Sequence, residues 1–184
     1  LSENQVTLIT PSNPVIEISQ ALARISAKLG QMAAWRNTNI AMMTMAETLL
    51  EEPKGDLVVM GTLSQISAEF PELSNQMSPT LEMLSLRPNP LTADDGLVLL
   101  QVSPFDPLSK TLILTGESLQ AVEKSVMAAT FEAFYEGATG EWSIIRAVPD
   151  LPKVPGSDGL KISLQDLGLD PLTAFGTREQ TIQF

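Results

Sequence analysis

Apolar and polar positions alternate along residues 1–148 in a way that predicts strands and helices in turn. Val6–Thr10 is a short β-rich run that stops at Pro11. Asn13 followed by Pro14 predicts an N-cap with proline at the first helical position. Val15, Ile18, Leu22, Ile25 and Leu29 then recur at helical spacing, with Glu17, Gln20, Arg24 and Lys28 on the wet side and Gly30 as the stop. Ile40–Met45 is a second strand, followed by a brief helical stretch over Thr48–Glu52. Asp56–Gly61 is apolar on both faces, as the middle of a covered parallel sheet requires. Ser64–Phe70 begins a further helix closed by Pro71, and Leu81–Leu86 fits a strand and a short helix equally well.

Leu97–Val102 and Thr111–Thr115 are strands joined through residues 103–110. That segment is too short for a helical crossover, so the pair is expected to be antiparallel. Ser118 caps a long helix to about Glu136, with Leu119, Val122, Val126, Thr130 and Ala133 along one stripe and Met127, Phe131 and Phe134 beside it. Trp142–Val148 makes a closing strand. The order of elements predicts an α/β fold whose mostly parallel sheet carries helices on both faces. Pro149, Pro152, Pro155, Gly156 and Gly159 then crowd a linker over 149–159. Leu160–Leu164 and Thr181–Phe184 read as strands of a different domain. No internal repeat is visible.

Composition narrows the function classes. The 184 residues are 43% hydrophobic and 18% charged, which suits a folded domain. The chain starts at Leu1 without a basic and apolar leader, so a piece of a longer protein is expected. Eleven basic against twenty-two acidic residues give a net charge of −11, which repels phosphate backbones and argues against nucleic acid. Apolar runs such as Ile40–Met43 fall far short of the roughly 20 residues a membrane helix needs. Cysteine is absent, which suits cytosol and periplasm alike. Histidine is absent too, removing the commonest general base and metal ligand together.

Several stretches, in order, carry a family resemblance. They are Pro11-Ser12-Asn13-Pro14 after the first strand, Leu29-Gly30 with Ala33-Ala34-Trp35-Arg36, the buried strand Asp56–Gly61, and Ser103–Pro107 through Leu114–Glu117. In the tail, Leu164–Leu169 and Thr173–Gly176 look like the opening of a β-sandwich. Together they resemble the periplasmic regulatory subunit of bacterial cellulose synthase, a family that alternates carbohydrate-binding-like β-sandwiches with flavodoxin-like domains. Residues 79–96 show no counterpart. The resemblance implies a flavodoxin-like three-layer domain over 1–148 and an incomplete β-sandwich over 160–184. It also implies a periplasmic parent anchored to the inner membrane that supports glucan synthesis and export. The partners it implies are the catalytic subunit and neighbouring domains of the same chain, with the glucan a further candidate. An older label for the family is cyclic di-GMP-binding protein.

The candidate sites are sparse. A ligand with two phosphates favours clustered arginines, yet Arg24, Arg36, Arg87, Arg146 and Arg178 are dispersed. In open α/β folds ligands sit at the carboxyl ends of strands. The Thr10–Pro14 turn there lacks glycine, and Glu117 in Gly116-Glu117-Ser118 repels an anion; both read better as turns and caps. Asp94-Asp95 and Glu51-Glu52 are adjacent acids near turns, where solvated charge is the plain reading against a glycosidase pair. A serine triad lacks its histidine, and no local motif supports a Ser–Lys arrangement. Trp142, Phe105 and Tyr135 read mainly as packing residues, and the eight methionines as gap-fillers. Trp35 and Arg36, beyond the first helix stop, are the candidate partner interface. The expectation is a non-catalytic structural domain without cofactor or metal; the alternative is a flavodoxin-like receptor for a nucleotide or sugar.

Overall fold

Leu57, Val58, Val59 and Met60 are all buried, so the strand they form needs apolar cover on both faces. The fold supplies it. In the computed structural model, which describes residues 4–33, 38–131 and 140–148, the elements run β1 (Asn4–Thr10), α1 (Ile16–Ala33), β2 (Thr38–Thr44), β3 (Asp56–Met60), α2 (Leu63–Glu69), α3 (Pro71–Ser85), β4 (Gly96–Val102), β5 (Lys110–Thr115), α4 (Leu119–Thr130) and β6 (Trp142–Ile145). A 3₁₀ turn, Glu47–Leu49, lies between β2 and β3. The sheet order is β2-β1-β3-β5-β4-β6. β2, β1, β3 and β5 are parallel, and β4 runs against its neighbours β5 and β6. This is a flavodoxin-like three-layer α/β fold with the expected antiparallel β4–β5 pair.

Alternation along the strands divides the core in two. On one face Leu8, Val58, Met60, Val98 and Leu114 meet Ala21 and Ile25 of α1 and Val126, Ala128 and Ala129 of α4. On the other, Ile9, Leu57, Val59, Leu97, Leu99 and Ile113 meet Ile66 of α2 and Leu73, Met77 and Leu84 of α3, with Phe70 between the two helices. Each such side chain, fully buried, contributes about 1.5–3 kcal/mol. This second cluster draws only Ile9 from β1 and nothing from β2. The connection over residues 45–55 crosses that end of the sheet in place of a helix.

Several boundaries differ from the sequence expectation. The first helical bond of α1 runs from the Ser19 amide to the Val15 carbonyl, so the cap falls two residues beyond Asn13. Gly30 lies inside α1, which continues to Ala33. β2 ends at Thr44, and the helical stretch after it is the short 3₁₀ turn. Pro71 closes α2 as expected, and it also starts α3, which absorbs Leu81–Ser85. Proline is well suited to a first helical turn, where its missing amide has no intrahelical role. Pro79 inside α3 removes one helical donor, and burial of Leu73, Met77 and Leu84 offsets it. Ser118 caps α4 through a bond from the Ala121 amide, but that helix ends at Thr130, where Phe131 is extended. β6 is shorter than expected, stopping at Ile145. The expected linker over 149–159 and sandwich strands over 160–184 lie outside the described residues.

One backbone position is constrained sharply. Gly55 turns the chain into β3 at φ +74°, and a Cβ there would run into the Gln5 carbonyl oxygen. Gly55→Ala is expected to cost about 2–4 kcal/mol, from strain and the clash together. Gly30→Ala, with nothing within 4 Å of the added carbon, should gain about 0.5–1 kcal/mol of helix propensity. Urea unfolding of both variants checks the pair; equal effects would remove the argument.

Candidate functional site

In a sheet ordered β2-β1-β3, the chain leaves β1 and β3 in opposite directions, and the crevice outside their carboxyl ends is where this fold class binds ligands. Here that crevice is occupied by the protein itself. Pro11 after β1 and Met45 after β2 are buried. A Cβ placed on Gly61 after β3 would lie 3.2 Å from Met45 Cε and 3.3 Å from Pro11 Cγ. The Ser12 amide donates to Glu69 Oε2 at 2.8 Å, and the Ser12 hydroxyl donates to the same oxygen at 2.5 Å. A carboxylate of the chain thus engages the amide of this turn.

The neighbouring helix starts are satisfied in the same way. The Leu63 amide donates to the Gly116 carbonyl at 2.9 Å. Thr62 and Gln65 form a reciprocal capping box on α2. Ser118 caps α4, and Glu117 is exposed. At the two candidate turns, the Ser12 amide is taken by Glu69, the Ala121 amide is taken by Ser118, and the Gly116 carbonyl accepts from Leu63.

Among the described residues, Arg24, Arg87 and Arg146 each engage a separate partner. Arg24 pairs with Glu123 at 3.3 Å. The Arg87 guanidinium lies 4.7 Å from the centre of the Trp142 ring. Arg146 donates to the Asn89 carbonyl at 3.1 Å and stands 3.7 Å from Asp95 Oδ2. Arg87 also covers a face of Trp142 that a sugar ring would otherwise use. Phe105 stacks on Phe70 with ring centres 5.7 Å apart, within the core beside α2. Trp35 and Arg36, the candidate partner interface, lie outside the described residues, as does Tyr135.

The acidic pairs also resolve. Asp95 is buried and accepts from the Thr92 amide at 3.0 Å, which closes the turn into β4, whereas Asp94 is exposed. Asp106 closes the β4–β5 connection. The Leu108 amide and the Ser109 hydroxyl donate to it and hold its carboxyl below the usual range. Among the described residues no group of His, Cys, Asp and Glu is arranged to hold a metal, and no helix is long and apolar enough to cross a membrane.

A groove that sequence reasoning missed lies on the uncovered end of the sheet. It has a volume of about 510 Å³. Ala41, Met42 and Met43 of β2 line one side, and Glu51, Glu52 and Pro53 of the connection line another. Glu47 lines it as well, clasped to the end of β2. The Thr44 amide donates to Glu47 Oε2 at 2.6 Å and the Thr44 hydroxyl at 2.9 Å. The only sequence signal for the groove is the short distance from β2 to β3, which leaves no room for a covering helix.

The sequence matches no family model and no curated protein.

Thr44 donates its amide and then its hydroxyl to Glu47, and both lower that carboxyl's pKa. A lowered folded-state pKa adds stability that is present above the unfolded value and lost as pH falls through the folded one. Stability should therefore decline from about pH 5 downward. Glu47→Gln should flatten that part of the profile, a difference measured as urea midpoints against pH. Parallel profiles for the two proteins would show that the clasp contributes nothing.

Glu69→Ala should cost about 1–3 kcal/mol, the loss of two charge-assisted hydrogen bonds to Ser12. Thermal unfolding checks this, and an unchanged midpoint would mean that the carboxylate does not hold the turn.

Proposed function

We propose that residues 1–148 form a non-catalytic structural and interaction domain in the periplasmic regulatory subunit of a bacterial cellulose synthase. One observation carries the non-catalytic half of this reading. The crevice where a flavodoxin-like fold would take a cofactor or substrate is filled by Pro11, Met45 and Glu69. The absence of histidine and cysteine supports it, because the commonest general base and the readiest thiol nucleophile are both missing. The parent assignment rests on the order of family-like segments, from Pro11–Pro14 to Thr173–Gly176, together with the flavodoxin-like fold. In such a parent the domain would hold neighbouring β-sandwiches in place beside the catalytic subunit while the glucan leaves the cell. The competing reading, a nucleotide or sugar receptor acting at the strand ends, needs the space those three side chains occupy.

Two measurements test the proposal. The purified protein, incubated with β-glucan oligosaccharides and with flavin, guanine and cyclic dinucleotides, is expected to turn none over and to keep its melting temperature. A shift that grows with ligand concentration would replace the scaffold with a receptor. The gene should stand beside one for a processive glucan synthase, and its deletion should abolish polymer export. A gene placed elsewhere, with export intact after deletion, would remove the parent assignment.

A further inference from the structure

We infer that the outer edge of β2, with the groove beside it, docks an extended basic segment of a partner protein by strand addition. This does not rest on the parent proposed above, since it concerns an edge that the fold itself leaves open. β2 pairs only with β1 among the described residues. The Met45 amide donates to the Thr10 carbonyl on β1, whereas the Thr44 amide points to Glu47. By the two-residue alternation of a strand, Thr38, Ile40, Met42 and Thr44 turn their backbone groups outward. Glu47 takes the amide of Thr44. Among the described residues, the amides and carbonyls of Ile40 and Met42 have no partner and are open for pairing.

The two sheet edges are treated differently. β6 is a four-residue strand, with Arg87 laid over its Trp142 and Arg146 following its end. A short strand flanked by charge is a common way to blunt an edge. β2 has seven residues, TNIAMMT, with no charge and no proline. Met42 on it is 61% exposed, and the groove opens beside it. A free, uncharged edge next to an uncovered face is the geometry that strand addition uses.

Charge selects the occupant. Side chains of an added strand alternate between the two faces of the sheet. Those on the groove side would meet a rim carrying Glu47, Glu51 and Glu52 against a single Lys54. Those on the other side would lie beside exposed Met42. The complementary segment therefore alternates Lys or Arg with apolar residues. A second copy of the chain would bring the same acidic rim and a charge of −11, and nucleic acid would bring phosphates; both meet repulsion.

The test uses the whole chain and a labelled peptide of alternating lysine and valine, followed by fluorescence anisotropy and amide hydrogen exchange. Saturable binding should protect the Ile40 and Met42 amides. Methylating the peptide's backbone nitrogens along one edge should weaken binding about tenfold or more, as should Met42→Pro, which removes the outward donor. The exposed pair Glu51→Lys and Glu52→Lys should also weaken it about tenfold, and a glutamate–valine peptide should not bind. Equal binding of the methylated peptide, equal binding of the acidic peptide, or unchanged exchange at Ile40 and Met42 would each overturn the proposal. So would sedimentation showing that the chain pairs with itself through this edge.

Discussion

A parallel strand buried on both faces must be covered on both faces, and the chain must supply that cover within its connections. The α1 crossover covers one side of β1, and α2 with α3 covers the far side of β3, β4 and β5. Residues 45–55 have to return from β2 to β3 past β1 and are too few to make a helix that spans the sheet. They form a 3₁₀ turn and a tight passage over β1 instead. The Thr7 hydroxyl holds the Lys54 carbonyl at 2.9 Å, and Gly55 lies against the Gln5 carbonyl. The fold thus closes over β1 with backbone contacts and leaves a groove beside β2. The groove and the open edge both follow from that shortage of chain.

The same connection begins with Met45, which turns inward at the strand ends. Flavodoxin-like domains that carry a ligand keep this region hollow and lined with free amides. Met45 and Pro11 fill it with apolar volume, while Glu69 satisfies the amide that apolar groups cannot. Leaving that half-buried donor unpaired would be costly, and Glu69 supplies its partner.

Much of this was legible in the sequence because each core strand carries its own signal. The run Asp56–Gly61, apolar on successive positions, announces a doubly covered strand. The stretch between Val102 and Thr111 is too short to cross over, and its antiparallel pairing follows. α3 was less legible. Pro71 read only as a stop and Leu81–Leu86 fitted a strand as well as a helix, although Leu73, Met77, Leu81 and Leu84 keep helical spacing through Pro79. The cap of α1 shifted because Asn13–Pro14 fits a turn as well as a helix start. The filled crevice was hidden for a different reason. Pro11, Met45 and Glu69 are far apart in sequence, and only the β2-β1-β3 order brings them together. Local periodicity carries no information about that.

An open edge is ordinarily a hazard, since any strand can pair with it. The acidic surplus of this chain supplies a guard that leaves the backbone free. At physiological salt, charges act over about 8 Å, so the distant part of the net charge contributes little at the edge and the nearby rim contributes most. Glu47 has two roles there. Its bonds to Thr44 close the last outward amide of β2, and the same bonds hold its carboxyl below the usual carboxylate range. Glu51 and Glu52 extend the negative rim without touching the strand. Backbone pairing at Ile40 and Met42 is therefore available to a segment whose side chains neutralise the rim, and opposed for one that adds to it. The strand supplies affinity that any extended peptide can use, and the short connection beside it supplies the discrimination. One shortage of chain between β2 and β3 thus accounts both for the exposure of the edge and for the kind of partner that can reach it.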